Sequence, residues 1–242
     1  MEANKYTQMQ RSKYEENANA WTVSNRDPVV GSFDSHNNWE EYEYLFTNIC
    51  SSDLSSDKFA DMHVLDFGCG PGRNIVKYNG RFRQIDGADI SAKNLENAVK
   101  WMQFNKINLN NNLYLCNGYN LENIPGDVYD LIISTIVMQH ICVYDIRKNY
   151  FREFHRILKK DGFISMQMGF GIPEQSRKNT VSYYTNNYDA TGTNGQCDVA
   201  ISNPNELKQD LAEIGFRNFR YIIGKTGPGD AHPFWIYFSA QK

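Results

Sequence analysis

Short apolar runs alternate with amphipathic helical patterns along the chain from Asp61 onward. The runs with the length of buried strands are His63–Phe67, Gln84–Asp89, Leu113–Cys116, Val128–Thr135 and Gly162–Met168. Between runs, apolar residues recur at every third or fourth position, the spacing of one helix face. Such positions are Leu95, Ala98, Val99 and Met102, and later Ile146, Tyr150, Phe154 and Leu158. Strands that alternate with helices predict an α/β fold with a doubly wound, mostly parallel sheet.

The C-terminal part of the chain predicts one further helix and a hairpin. Asn203 fits the N-cap position, Glu206 completes a capping box, and Gly215 fits the C-terminal cap. The strand-like runs Phe219–Gly224 and Phe234–Ala240 come next, joined by a turn that contains glycine and proline. Together the runs predict a seven-stranded sheet that ends in an antiparallel C-terminal hairpin.

Two segments lie outside this alternation. Residues 1–60 are rich in aromatic side chains and predict an N-terminal helical lid, in which the spacing of Trp39, Tyr42, Phe46 and Ile49 indicates a packed helix face. Residues 61–242 form the predicted main domain, and residues 169–202 are a polar insertion within it. Long connections in compact domains are usually functional lids or disordered segments. We expect both segments to cover the same end of the sheet and to build the substrate site.

Composition narrows the possible partners. The chain has 242 residues, 41% of them hydrophobic, which is enough for one sizeable core. A formal net charge of -3 disfavours nucleic acid and anionic membranes as partners, and no apolar run has the length of a membrane helix. The five cysteines are dispersed and the N-terminus has no apolar signal region, which favours reduced thiols in a cytoplasmic protein without a metal site. The composition and the charge do not determine the oligomeric state.

The first strand runs directly into a glycine-rich loop, Asp66 to Gly72, with the pattern D-x-G-x-G-x-G. In doubly wound sheets the ligand lies beyond the carboxyl ends of the strands, and glycines there let backbone N–H groups approach it. Dinucleotide-binding proteins have a third glycine where this chain has Arg73, which argues against a nicotinamide cofactor. Asp66 would repel a phosphate and suits a cationic or hydrogen-bond-donating group instead.

This run closely resembles the S-adenosylmethionine loop of class I, Rossmann-like methyltransferases that act on small molecules, and the resemblance extends from about Asp61 to the C-terminus. It implies that Asp89 binds the ribose hydroxyls and that the loop after the third strand binds adenine. Since the family often has an acid where this loop has Tyr119, Asn117 or Asn120 are possible replacements. The implied cofactor residues are Asp66, Gly68, Cys69, Gly70, Gly72, Asp89, Ile90, Asn117, Gly118, Tyr119, Asn120 and Ser134.

Position along the predicted sheet and its irregular segments supplies candidates for chemistry. His140 comes after the fourth strand on the cofactor side, where it would act as the base for a hydroxyl acceptor or would only line the site. His36 and His232 are weaker candidates for the base. Tyr14 and Trp21 would close over the methionine end of the cofactor. The residues that would line an acceptor site, unless their loop is simply solvated, are Tyr183, Tyr184, Tyr188 and Asp189.

The residues directly after the fourth strand bear on the acceptor class. Ser134–Val137 do not match the Asn/Asp-Pro-Pro-aromatic motif of methyltransferases that act on base amino groups, and no Pro-Cys nucleophile is present. The favoured function is therefore methyl transfer from S-adenosylmethionine to an oxygen or nitrogen of a small polar molecule. An NAD(P)-dependent oxidoreductase and a non-catalytic methyltransferase-like binding subunit stay as alternatives.

Overall fold

The computed structural model describes residues 2–24, 59–107, 110–176, 179–190, 197–226 and 231–242. Its helices are α1 (Glu2–Asn19), α2 (Arg73–Lys77), α3 (Ala92–Phe104), α4 (Tyr144–Ile157) and α5 (Pro204–Ile214). Its strands are β1 (His63–Phe67), β2 (Gln84–Asp89), β3 (Leu113–Leu115), β4 (Tyr129–Ser134), β5 (Leu158–Phe170), β6 (Thr180–Ser182), β7 (Asp198–Ile201), β8 (Arg217–Lys225) and β9 (Phe234–Gln241). The predictions for His36 and for the Trp39–Ile49 helix face lie outside the described residues.

The strands form one mixed sheet in which β3, β2, β1, β4 and β5 lie side by side and parallel. The hairpin of β8 and β9 belongs to the sheet because β9 pairs antiparallel with β5. The predicted α/β class, the parallel strands and the C-terminal hairpin are confirmed. Strand order reverses between β1 and β4, so their carboxyl ends define the expected ligand edge.

The predicted number of strands is wrong, because the described part of the sheet has nine strands rather than seven. The two additional strands, β6 and β7, lie in the insertion that was predicted to be a loop. Strand β7 pairs with Gly169 and Phe170 of β5. Since β9 occupies the other edge of β5, β7 lies on the β4 side, beyond the end of β4. Its apolar run of Val199, Ala200 and Ile201 is too short to stand out in a polar segment.

Helices cover both faces of this sheet. Ile132 of β4 packs with α4 and α5 on one face, whereas its neighbours Leu131 and Ile133 pack with α2 and α3 on the other. A strand buried on both faces has a continuous apolar sequence, as the run in β4 does. The predicted capping box of Asn203 and Glu206 also forms, and at the start of α3 Ser91 accepts a hydrogen bond from the Asn94 N–H.

Helix α1 lies across the carboxyl edge of the sheet and is held there by polar side chains. Tyr6 Oη accepts from Cys142 N at 2.8 Å, Gln10 Nε2 donates to His140 O at 3.0 Å, and Arg11 Nη2 donates to Cys116 O at 2.9 Å. The Glu15 carboxylate accepts from Ala92 N at 2.7 Å and Lys93 N at 3.1 Å, at the positive end of α3. Helix α1 therefore covers the loops that come after β2, β3 and β4.

Arg147 of α4 is fully buried and donates to the carbonyl oxygens of Ile141 and Tyr183. We expect Arg147→Ala to lower the free energy of unfolding by about 3–5 kcal/mol, since it opens a cavity and leaves two buried carbonyls without donors. Urea unfolding measures this change. Arg152→Ala, at an exposed position of the same helix, is the control. An equal effect of both variants would contradict the expectation.

Candidate active site

The glycine loop has a backbone that side chains would not tolerate. Gly68, Gly70 and Gly72 have φ values of +74°, +52° and +80°, in the left-handed region that favours glycine. A Cβ on Gly68 would lie 2.3 Å from a methyl group of Val137, and one on Gly72 would lie 3.0 Å from the Cβ of Ala98. Backbone conformation thus favours glycine at all three positions, and packing also requires it at positions 68 and 72.

Asp89, at the end of β2, holds this loop in place. Its carboxylate is 7% exposed and accepts from Gly70 N at 2.9 Å, Ser91 N at 2.9 Å and Asn94 Nδ2 at 3.3 Å. Burial raises the pKa of Asp89, and these donors oppose the rise. A carboxylate offers about four lone-pair positions, so one acceptor position is left for a ribose hydroxyl. The geometry therefore fits the predicted role and adds a second one, anchoring the loop.

Asp66 of β1 is buried beside the same loop. Asn74 Nδ2 donates to its Oδ1 at 3.2 Å, while Oδ2 has no hydrogen-bond partner among the described residues. Burial raises the pKa of Asp66 to about 7, against the lowering effect of the Asn74 hydrogen bond and the Arg73 charge. A buried carboxylate oxygen without a donor suits a cationic group such as the ammonium of the methionine moiety of S-adenosylmethionine.

The side chains in the loop after β3 make contacts that differ from the predicted cofactor contacts, and so does the side chain of Ser134. Asn117 Oδ1 accepts from Tyr119 N and Asn120 N, both at 2.8 Å, in an exposed turn. Its amide is thereby committed to its own loop, whereas Gly118 packs against Thr7 of α1 and Ile90. The prediction for Ser134 also needs correction. The Ser134 hydroxyl is fully buried and donates to Phe67 O at 2.9 Å, so it joins β1 to β4 rather than facing a cofactor.

His140 lies in the short 3-10 helix Met138–His140 that comes after β4. Its Nδ1 is 2.6 Å from Oδ1 of Asp198, the first residue of β7. The two side chains are 20% and 8% exposed. His232 Nε2 lies 3.6 Å from the other oxygen of Asp198. The pair forms because β7 lies beyond the end of β4, and a histidine held at Nδ1 by a carboxylate presents Nε2 for proton transfer.

Tyr14 and Trp21 lie at the α1 side of this edge. Burial raises the pKa of Tyr14, and the negative charges of Asp89 and Asp198 raise it further. Trp21 is 5% exposed, and its Nε1 has no partner within the described ranges. The cofactor-closing role of both residues stays a prediction.

The predicted acceptor residues separate into two groups. Tyr183 needs correction, since it is 1% exposed in the core and its hydroxyl donates to Asp210 Oδ2 at 2.8 Å. Tyr184 is exposed and contacts the Tyr183 ring edge-on. Tyr188 and Asp189 instead line a cleft of about 340 Å³ with Glu2, Lys5 and residues 185–187. The Tyr188 ring also contacts Tyr6 of α1, so the insertion and α1 meet here.

Sequence patterns did not identify Asp198, Gln139 or Gln167 as site residues. Asp198 belongs to no motif, and its only signal is the short apolar run directly after it. The two glutamines are 1% and 0% exposed, and neither amide has a partner among the described residues. Both glutamines stand among apolar residues, which predict a strand or the end of a strand. The sequence therefore gives no sign that their amides are buried, and only the folded structure shows it.

The raised pKa of Asp66 predicts pH-dependent cofactor binding. An ammonium group requires the ionised carboxylate, so affinity for S-adenosylmethionine should rise about fivefold from pH 6 to pH 7. In the free protein, the stabilising contribution of protonated Asp66 is present below pH ~4 and is lost as the pH rises through about 7. Calorimetric titration at several pH values measures the first effect. Asp66→Asn should remove this pH dependence, and a wild-type-like dependence in that variant would contradict the assignment.

Comparisons with known proteins bear on the domain class and the fold. Residues 64–162 match a family model described as a methyltransferase domain. An S-adenosylmethionine-dependent methyltransferase from Mesorhizobium loti is 17% identical, with a TM-score of 0.61 over 87% of this chain and 100% of its own. DhpI in complex with SAH is 14% identical, with a TM-score of 0.60 over 97% and 96%. No curated protein matches this sequence significantly.

A third similar structure is the phosphoethanolamine N-methyltransferase 2 of Haemonchus contortus, in complex with S-adenosyl-L-methionine. It is 16% identical, with a TM-score of 0.57 over 83% of this chain and 52% of its own. Residues 64–162 therefore resemble a methyltransferase domain, and the solved structures show that the chain has the Rossmann-like fold of S-adenosylmethionine-dependent enzymes, as the glycine loop predicts. S-adenosylmethionine is the cofactor of this class. None of the helices in the described ranges is long and apolar enough to cross a bilayer.

Proposed function

We propose that the protein transfers a methyl group from S-adenosylmethionine to an oxygen or nitrogen of a small polar molecule, with His140 as the general base. The observation that carries this proposal is the 2.6 Å contact between His140 Nδ1 and Asp198 Oδ1 at the carboxyl end of β4. When bound, the cofactor supplies a methyl group activated by a positively charged sulfur.

The roles of the pair follow from hydrogen-bond chemistry. An ionised carboxylate only accepts, so Asp198 favours the tautomer of His140 with the proton on Nδ1 and a free lone pair on Nε2. Nε2 would take the proton from an acceptor hydroxyl or ammonium. Asp198 would then stabilise the charged imidazolium, as the orienting acid does in other base-assisted reactions.

Other residues would bind the cofactor and exclude water. Asp66 would receive the ammonium group, Asp89 would receive a ribose hydroxyl, and the backbone of the glycine loop would pack against the ligand. Helix α1 covers the loops after β2, β3 and β4 through Tyr6, Gln10, Arg11 and Glu15. Exclusion of water strengthens electrostatic interactions in the site and protects the activated methyl group from hydrolysis.

Two observations support a small acceptor. Helix α1 lies directly over the loops of the site, and the name of the Haemonchus contortus neighbour specifies phosphoethanolamine, a small molecule. Two observations favour this function over nicotinamide-dependent oxidation. Arg73 departs from the dinucleotide-binding pattern, and residues 64–162 match a methyltransferase domain model. The His140–Asp198 pair favours an enzyme over a binding subunit, because binding alone does not require a base.

Two successive measurements test the proposal. Calorimetry should detect S-adenosylhomocysteine binding and no NAD(H) binding. Radiolabelled S-adenosylmethionine should then transfer its methyl group to members of a panel of small alcohols, phenols and amines. Binding of NAD(H) alone would support an oxidoreductase. Tight S-adenosylhomocysteine binding without methylation of any panel member would favour a binding subunit.

A further inference from the structure

Two buried glutamines have side-chain amides that the protein does not satisfy. Gln139 is 1% and Gln167 is 0% exposed, and neither Nε2 nor Oε1 of either residue has a partner in the described part of the chain. Most buried polar groups in folded proteins are hydrogen-bonded, so both amides indicate a missing partner. Other glutamines here are bonded: Gln10 donates to His140 O and Gln84 donates to Asp86 Oδ1.

Gln167 lies on the same face of the sheet as Asp198. Side chains two residues apart on a strand share a face, so Gln167 and Gly169 point the same way. Gly169 pairs with Ala200 of β7, and Asp198 stands two residues before Ala200. The His232 ring packs directly on Gly169, where a Cβ would approach it to 2.4 Å. Gln167 therefore lies next to the Asp198–His232 end of the site.

On its other side, Gln167 adjoins the network around Asp66. Thr135 and Gln167 come directly after Ser134 and Met166, the last pair of the β4–β5 ladder. Thr135 Oγ1 accepts from Asn74 at 3.4 Å, and Asn74 also donates to Asp66. Gln167 thus shares a sheet face with Asp198, which holds His140, and follows the end of β4, where Thr135 and Asp66 share the Asn74 amide as a donor. The second glutamine, Gln139, directly precedes His140.

The geometry points to Gln167 as the group that binds the methyl acceptor through a neutral hydroxyl or carboxamide; this inference rests on the proposed function. A carboxamide donates two hydrogen bonds and accepts others, so its best complement is a group that also does both. A phosphate or carboxylate can only accept. It would also be repelled by Asp198, on the same face of the sheet as Gln167. The site thereby selects neutral acceptors over anionic ones.

Acetamide and acetate test this selectivity, because they share a shape and differ in charge and donors. Calorimetry first establishes S-adenosylhomocysteine binding to the wild-type protein. Saturation-transfer NMR on the S-adenosylhomocysteine complex should then show acetamide binding and much weaker acetate binding. Gln167→Leu and Gln167→Met should each weaken acetamide binding about five- to tenfold. Gln84→Leu, at the opposite end of the sheet, should leave it unchanged.

Thermal unfolding of the ligand-free protein gives an independent readout. Because Gln167→Met and Gln167→Leu remove an unsatisfied buried amide, their midpoints should equal or exceed that of the wild type. A lowered midpoint in both variants would show a structural amide and would overturn the inference, as would equal binding of acetate or unchanged acetamide binding in the variants. Failure of S-adenosylhomocysteine to bind the wild type would overturn the proposed function itself, and this inference with it.

Discussion

Replacement of His140 by glutamine is expected to lower kcat for methyl transfer by about 10²–10⁴-fold, the usual contribution of a positioned general base. Glutamine keeps similar size and polarity but cannot take up a proton. Affinity for S-adenosylhomocysteine should not change, because the cofactor residues Asp66 and Asp89 stay in place. Initial rates at saturating cofactor, together with calorimetry, separate the two quantities.

Asp198→Asn is the matched variant for the orienting residue. An asparagine amide can present a donor to His140 Nδ1, which would favour the tautomer whose proton is on Nε2 and block proton uptake there. We expect kcat to fall in this variant while the unfolding midpoint and cofactor affinity are kept. Unchanged kcat in both His140→Gln and Asp198→Asn would exclude the pair from the reaction.

The second large effect is expected for Asp89→Ala, which should weaken S-adenosylhomocysteine binding by about 2–3 kcal/mol, or roughly 30- to 150-fold. The variant loses the acceptor for a ribose hydroxyl, and it also leaves the Gly70 and Ser91 N–H groups without their partner. Loss of these anchors disturbs the glycine loop, so binding suffers from two causes. Calorimetric titration measures the affinity.

Two control variants test whether the loss of affinity comes from the Asp89 carboxylate. Asp127→Ala removes an exposed carboxylate that interacts with Lys242 and should leave affinity unchanged. Asp89→Asn keeps the shape and one acceptor oxygen, so its loss of affinity should lie between those of wild type and Asp89→Ala. Wild-type affinity in Asp89→Ala would refute the ribose assignment.

Local patterns predicted the elements that depend on near neighbours in sequence. The helix α5 is an example, since Asn203, Glu206 and Gly215 form its caps within one segment. The strand β4 is another, because a run of apolar residues buried on both faces needs no knowledge of its partners. The C-terminal hairpin also follows from two adjacent runs and the turn between them.

The same patterns misassigned side chains whose role depends on distant partners. Tyr183 looked available for a ligand, yet its hydroxyl bonds Asp210 of α5 in the core. Ser134 looked like a cofactor residue, yet it joins β4 to β1. In both cases a polar side chain is satisfied by a residue far away in sequence, and no spacing rule within a segment registers that contact.

The sequence by itself determined the α/β class, the glycine loop after β1 and the acid at the end of β2, because strand periodicity, left-handed turns and caps are set by residues close together in the chain. Only the tertiary structure decided that Asp198 meets His140 across 58 positions and that the Gln167 amide is buried without a partner among the described residues. The physical reason is the placement of β7. A short strand gains a partner only where the edge of β5 extends beyond β4, and that free length of edge exists only in the assembled sheet.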